Sequence, residues 1–334
     1  VGEKAIFQGS LKGPLPHPKE RRMSEIKVAY YSELDDQAQW EEMMGALLPE
    51  LRVYPLTQLG GDEQMDFAVV WNPPPGALAG LPGLRAIFNM GAGVDALVGD
   101  ATLPKGVPII RLVDERLTQR MKEYAVLHVL RYHRLAPLYE DMQRKKQWRA
   151  VQTPVAQERV VGVLGLGAIG AACAEALHTL GFRVLGWSRT AKQLPNMSCY
   201  SGMAQLPEFI RQLDIALFVL PLTPHTDGLL NYELIGQMKR GVCLINIGRG
   251  RVQREGDILQ GLADGTIGGV TLDVFEHEPL ADDSPLWDHP AVTITPHVAG
   301  ITDPQSAART IVDGMREILA GRVPSHLVDR TRGY

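Results

Sequence analysis

Three apolar runs in the second half of the chain end in side chains of acid–base or anion-binding type. "CLINIGRGRV" sets Arg249 between Gly248 and Gly250. "GVTLDVFEHEPL" puts Asp273 at a strand end and Glu278 in the loop that follows. "VTITPHVAG" places His297 directly behind a proline. A fourth run, "VVGVLGLGAIG", carries Gly165, Gly167 and Gly170 in G-x-G-x-x-G spacing, with Leu166, Ala168 and Ile169 filling the turn. In that pattern the first glycine allows a tight turn and the second lets backbone N–H groups approach a pyrophosphate. The third lets the helix pack close to the strand. The helix N-terminus then offers partial positive charge to phosphates. Ligands of open α/β sheets bind at the carboxyl ends of strands, so all four segments point to one crevice.

The cofactor choice turns on "VLGWSRT". An acid at the end of the second strand of such a unit would hold a ribose hydroxyl and repel a 2′-phosphate. Here the strand ends in Ser188, Arg189 and Thr190, eighteen residues beyond Gly170. Two hydroxyls and a guanidinium suit a phosphate. This favours NADP(H) and leaves NADH open; the plainer alternative is an Arg189 that points to solvent.

The elements that must position these groups read as alternating strands and helices. "IKVAYYS", "LRVYPL", "MDFAVVWNPPP", "LRAIFNMGAGVD" and "VPIIRLVD" are strand candidates in the first part, and residues 35–50 have helical spacing. A long helical stretch is expected from about Thr118 to Gln147, interrupted only by Pro137. A second run follows, with strands at Val160–Leu164, Arg183–Trp187, Ile215–Leu220, Cys243–Ile247, Gly269–Val274 and Val292–Thr295. An amphipathic helix over 303–321 closes the chain. The pattern is doubly wound α/β with parallel sheets.

Composition narrows the function classes. The chain has 334 residues, enough for two domains with real cores. A net charge of −4 leaves no electrostatic footprint for nucleic acid. The run Arg144, Lys145, Lys146 and Arg149 reads as a solvated helix face. Cys173, Cys199 and Cys243 are far apart, without metal-ligand or disulfide spacing, which fits a reducing cytoplasm and no metal. Val160–Ala174 is short and glycine-rich for a membrane span. Residues 1–22 are polar, rich in Gly and Pro, and read as an upstream extension.

In order along the chain, "GLGAIG", "PLTPHT", "NIGRG", "LDVFEHEPL" and "TPHVAG" resemble the D-2-hydroxyacid dehydrogenase family. The resemblance runs from about residue 24 to the C-terminus. "FAVVWNPP", "FNMGAGVD", "MKEYAV", "GWSRT" and the tail "VDRTRGY" look most like its glyoxylate/hydroxypyruvate reductase A branch. The resemblance implies a Rossmann-type cofactor domain (119–298) inserted into a flavodoxin-like substrate domain (23–118 and 299–334). It implies NADPH-dependent reduction of a small 2-oxo acid by a homodimer. Arg249 would bind the substrate's carboxylate and carbonyl oxygen. His297 would supply the proton, and Glu278 would orient it. Backbone N–H groups at Ala92, Gly93 and Val94 would grip the carboxylate. Besides the glycine turn and Ser188–Thr190, Leu220, Pro221, Thr226, Ile247, Gly248 and Asp273 would line the cofactor site. His225 would lie nearby, with His277 and His289 as bystanders.

Glu276 lies two residues from Glu278, but Glu278, which precedes the proline, is the one that matches the family position. Other readings stay open at this stage. Trp71 either lines a small substrate pocket or packs on Pro73–Pro75. Trp148 sits on an arm that in the family exchanges contacts across a dimer. A bulkier 2-oxo acid, or a cofactor-sensing corepressor-like role, are the competing functions.

Overall fold

In the computed structural model, which describes residues 25–333, the chain builds two parallel sheets. The expected extension over 1–22 lies outside the described residues. The first sheet comes from β1 (Ile26–Tyr31), α1 (Gln37–Leu47), β2 (Leu51–Pro55), β3 (Phe67–Val70), β4 (Ala86–Asn89), α2 (Asp95–Val98) and β5 (Ile109–Arg111). Two helices follow, α3 (Glu115–His133) and α4 (Ala136–Arg144). The second sheet comes from β6 (Val160–Leu164), α5 (Ala168–Thr179), β7 (Arg183–Ser188), β8 (Ser198–Ser201), α6 (Gly202–Ile210) and β9 (Ile215–Phe218). It continues through α7 (Tyr232–Ile235), β10 (Val242–Asn246), α8 (Glu255–Ala263), β11 (Ile267–Leu272) and β12 (Val292–Ile294). Helix α9 (Pro304–Leu319) comes last.

The first sheet has the order β2-β1-β3-β4-β5, the flavodoxin-like arrangement. The second has the order β12-β11-β10-β9-β6-β7-β8, so its direction of winding reverses between β6 and β9. All named strand pairs are parallel. Parallel strands covered on both faces read as unbroken apolar runs, which is why "FAVV", "VVGVL" and "IALF" are buried at every position.

Each sheet has a core on both faces. In the second, Met121, Ala125 and Val129 of α3 meet Cys173 and Leu177 of α5 on one face. Phe209, Ile235 and Ile258, from α6, α7 and α8, fill the other. In the first, Trp40 and Met44 of α1 pack with Ala307, Ile311 and Met315 of α9. The C-terminal helix thus completes a core begun by the N-terminal strands. Both crossings between the sheets are capped and tied together. The Asp114 side chain accepts from Leu117 N–H at the start of α3, and Asp303 accepts from Ser306 N–H at the start of α9. Ser306 Oγ donates to Asp114 Oδ2 at 2.9 Å.

Two expectations need correction. The long helical stretch is two helices: Leu135 adopts a left-handed conformation (φ 56°) between α3 and α4. Pro137 has no N–H with which to continue the α3 ladder and stands instead in the first turn of α4, where that N–H would have no partner within the helix. The basic run therefore leaves the helix after Arg144; Lys145, Lys146 and Arg149 lie on the exposed arm beyond it. Strand β8 was not anticipated, because "SCYS" is a short polar edge segment without apolar alternation. Among the described residues, no helix is long and apolar enough to cross a membrane, and no cluster of three or more His, Cys, Asp or Glu could hold a metal ion.

Candidate active site

Strand register gathers the candidate residues. In the second sheet, Trp187, Leu164, Phe218, Asn246, Leu272 and Ile294 form one row of paired positions. Ser188, Gly165, Ile247 and Asp273 directly follow four members of that row. Arg249 lies three residues beyond Asn246, and His297 three residues beyond Ile294. The first sheet repeats the device: Tyr31, Val70, Asn89 and Arg111 form its row, with Trp71 and Met90 next in the chain.

The glycine turn has three distinct roles. Gly165 has φ +104°, open to glycine at little cost, and a methyl group there would lie 2.5 Å from the Val219 carbonyl oxygen. A methyl group on Gly170 would lie 1.8 Å from the Gly165 carbonyl oxygen, so helix and turn can touch only through glycine. At Gly167 the corresponding direction is open for 4 Å. Gly167 is also the N-cap of α5, with no side-chain capping bond. An uncapped helix start beneath open space fits a phosphate group. Nearby, Thr226 Oγ1 donates to Pro221 O at 2.7 Å and accepts from Thr223 N–H, which fixes the "PLTPHT" loop. Gly248 lies against the Leu220 backbone, where a methyl group would meet the carbonyl oxygen at 2.6 Å. Ser188 is buried and its hydroxyl donates to Thr190 O at 2.8 Å, while Arg189 and Thr190 are exposed at the strand end. Contrary to the expectation of a free donor, the Ser188 proton is already used within the loop.

His297 and Glu278 meet. His297 Nδ1 lies 2.7 Å from Glu278 Oε2, and Glu278 Oε1 accepts from Phe275 N–H at 3.0 Å. Burial pushes the Glu278 carboxyl up, but the hydrogen bond and charge of His297, together with Phe275 N–H and Arg249, outweigh it and hold the carboxyl below its ordinary value. An ionised Glu278 makes Nδ1 the protonated ring nitrogen and leaves Nε2 to face a ligand. Glu276 is elsewhere occupied, accepting from Arg254 at 3.2 Å. Its proximity in sequence is not proximity to His297.

Asp273 holds the histidine's segment. It is almost wholly buried. Its Oδ1 accepts from the Thr295 hydroxyl (2.6 Å) and Val298 N–H (2.8 Å), and its Oδ2 from Ala299 N–H (2.9 Å). Its main-chain oxygen accepts from His297 N–H at 2.8 Å. These bonds brace His297 in a left-handed conformation (φ 53°), uncommon for a residue with a side chain. Burial raises the Asp273 carboxyl above its ordinary value, against the pull of those donors.

Arg249 crosses between the sheets. Its Nε donates to Asp95 Oδ1 at 2.8 Å, and Nη1 donates to Gly248 O at 2.9 Å. The guanidinium lies so close over Gly93 that a methyl group there would fall 1.2 Å from Nη2. Trp71 takes the same position over Gly91, 2.2 Å from where a methyl group would stand, while also packing on the first core. It therefore lies against the residue just before the carboxylate-grip candidates Ala92, Gly93 and Val94, and in the core at once.

Four residues escaped sequence reasoning. Asn89 is buried and donates from Nδ2 to Gly91 O and Gly93 O at 2.7 and 2.8 Å, shaping that loop. Asp95 anchors Arg249. Asn246 Nδ2 donates to Arg249 O and to Gln253 Oε1, and Gln253 Nε2 donates to Val274 O, fixing the backbone around Arg249. Buried amides at strand ends inside quoted motifs were the available signal for Asn89 and Asn246. Nothing local marks Gln253.

The model of the D-isomer specific 2-hydroxyacid dehydrogenase NAD binding domain matches residues 126–299. Glyoxylate/hydroxypyruvate reductase A of Serratia proteamaculans is 38% identical over 314 residues, 92% of this chain and 100% of the relative. A D-isomer specific 2-hydroxyacid dehydrogenase of Xanthobacter autotrophicus, solved with NADPH and MES, superposes with a TM-score of 0.88 at 41% identity. That match covers 93% of this chain and 100% of the other. The NADPH-dependent glyoxylate/hydroxypyruvate reductase of Sinorhizobium meliloti, solved with NADP and sulfate, gives a TM-score of 0.86 at 34% identity over the same shares. With the glycine turn, the His297–Glu278 pair and the cross-sheet arginine in place, the chain belongs to the D-isomer specific 2-hydroxyacid dehydrogenase family.

Proposed function

We propose that this protein reduces small 2-oxo acids with NADPH, taking glyoxylate to glycolate and hydroxypyruvate to D-glycerate. The observation that carries the reading is the meeting of three groups. Arg249 lies over the Gly93 backbone, close enough to Glu278 to depress its carboxyl, and Glu278 is bonded to His297. Relatives named for this reaction, and neighbours solved with NADPH or NADP, support it.

The open space over Gly167, the uncapped start of α5 and the acid-free end of β7 fit NADPH. When bound, the cofactor supplies the hydride. Arg249 holds the substrate carboxylate and polarises the carbonyl, with backbone N–H groups of 92–94 as the opposing grip. Glu278 keeps the His297 ring oriented, and Nε2 delivers the proton to the developing alkoxide. Asp273 sets the backbone from which His297 projects. Residues 23–118 with 299–334 act as the substrate-side unit and 119–298 as the cofactor unit. The chain works as a homodimer in the cytoplasm. The fully exposed Trp148 on the arm beyond α4 supports the dimer.

A spectrophotometric panel tests the reading, with NADPH and NADH against glyoxylate, hydroxypyruvate, pyruvate and phenylpyruvate. Glyoxylate and hydroxypyruvate with NADPH should dominate, and His297→Ala should lower that turnover by roughly 10²–10⁴-fold. A preference for phenylpyruvate, or near-normal turnover in the variant, removes it.

A further inference from the structure

We propose that Asp95 is a positioning residue for substrate recognition, acting through Arg249. This rests on the reading of Arg249 as the carboxylate-binding group.

Asp95 opens α2 on the substrate-side sheet, and Arg249 follows β10 on the cofactor-side sheet, 154 residues away in the chain. Their ion pair, Nε to Oδ1 at 2.8 Å, joins the two sheets. Both side chains are largely shielded, at 21% and 30% exposure, so water and salt compete with the pair less than on an open surface. Arginine presents its donors as a rigid planar fork. One bond at Nε and one from Nη1 to Gly248 O fix the plane and rotation of that fork. The remaining end, Nη2, is then held over the Gly93 backbone. Glu278 is engaged elsewhere, with Phe275 N–H and His297, whereas Asp95 bonds the guanidinium directly. Asp95 thus aims the fork while the substrate uses the part Asp95 leaves open.

The test is steady-state kinetics with glyoxylate and NADPH for wild type, Asp95→Ala, Asp95→Asn, Arg249→Lys and the Arg249→Lys/Asp95→Ala double variant. Losing one charge-assisted bond should raise the glyoxylate KM about 10-fold in Asp95→Ala, with the NADPH KM within about 2-fold of wild type. Asp95→Asn should recover part of the loss, because its amide oxygen still accepts from Nε. An ammonium has no fork to aim, so removing Asp95 in the Arg249→Lys background should change the KM less than about 2-fold. Where turnover is too slow, calorimetric binding of oxamate to the NADPH-loaded variants gives the same comparison. Equal factors in both backgrounds, an unchanged KM, or a matching rise in the NADPH KM overturns the proposal. So does a lower KM in Asp95→Ala, which would show Asp95 only competing with substrate for the guanidinium. A wild type that turns over no 2-oxo acid removes the functional reading itself. Wild-type turnover with equal factors removes only the role of Asp95.

Discussion

Two glycine-rich turns face the crevice, "GLGAIG" after β6 and "MGAGVD" after β4, and both lead from a parallel strand into a helix. What stands above them differs. Over Gly167 there is open space, and the helix below it runs twelve residues. Over Gly91 and Gly93 stand Trp71 and Arg249, and the helix is a single turn of four residues. Asn89 also ties the carbonyls of Gly91 and Gly93 from beneath. One turn is finished by its own chain geometry and keeps an open approach. The other takes its final form only when side chains from distant positions are laid on it. Similar local sequence therefore carries different chemistry, and the difference lies in the third dimension.

The strongest way to break this contrast is Gly93→Ala. Its methyl group must displace the guanidinium, and that guanidinium is held by Asp95 and Gly248. The kcat/KM for glyoxylate should fall roughly 10²–10³-fold, the worth of one or two charge-assisted bonds, while NADPH affinity holds. Gly167→Ala should do the reverse. It should fold normally, weaken NADPH and leave the glyoxylate KM at saturating cofactor near wild type. Stopped-flow fluorescence for cofactor affinity and initial rates for substrate separate the two. Parallel losses in both variants would mean that the turns do not divide the work.

The same contrast explains what was legible in the sequence. The cofactor turn could be read because its three glycines answer to local constraints: a positive φ, a close backbone contact and an open approach. Strand ends bearing Arg249, Asp273 and His297 could be read because parallel register places them in one row. Asp95 could not, since its partner lies 154 residues away. Glu278 could be preferred to Glu276 because it precedes the proline, as the family pattern has it, but which of His297 and Arg254 each one meets appears only in the fold. Asp273 was legible in position, but its accepting bonds from 295, 298 and 299 appear only once the loop is folded. The break between α3 and α4 was hidden because apolar spacing continues on both sides of Leu135.

Next in size is a pair of alanine variants that separates backbone from side-chain crowding. At Gly170 the obstacle is the Gly165 carbonyl, which cannot move without opening the turn. Gly170→Ala should cost about 1–3 kcal/mol in urea unfolding, as overpacking does. At Gly91 the obstacle is the rim of the Trp71 ring. Gly91→Ala should keep more stability and instead change the KM for hydroxypyruvate more than that for glyoxylate, as a shifted indole alters room for the larger acid. If Gly91→Ala unfolds as readily as Gly170→Ala, Trp71 is a core residue first. A smaller effect should come from Arg189→Ala. NADPH should weaken about 10-fold, the cost of one charge-assisted bond, with NADH little changed. Equal weakening of both cofactors would mean that Arg189 does not read the phosphate.

The smallest effect concerns pH, and it separates the proton-handling side from the phosphate turn. Backbone N–H groups at α5 do not titrate, whereas the Glu278 carboxyl does, and it is held below its ordinary value mainly by His297 against the opposing effect of burial. A depressed carboxylate contributes stability above its unfolded value, near about 4.3 for glutamate, and loses it as pH falls through the lower folded value. The stability margin of wild type over Glu278→Gln should therefore close as pH drops below the ordinary carboxylate range. The pair is more than a third exposed, at 38% and 37%, so solvent screening keeps the margin small. NADPH affinity measured over the same acid range should not follow it. A margin that widens on acidification would reverse the sign of the Glu278 shift. It would mean that burial, rather than His297, governs that carboxyl.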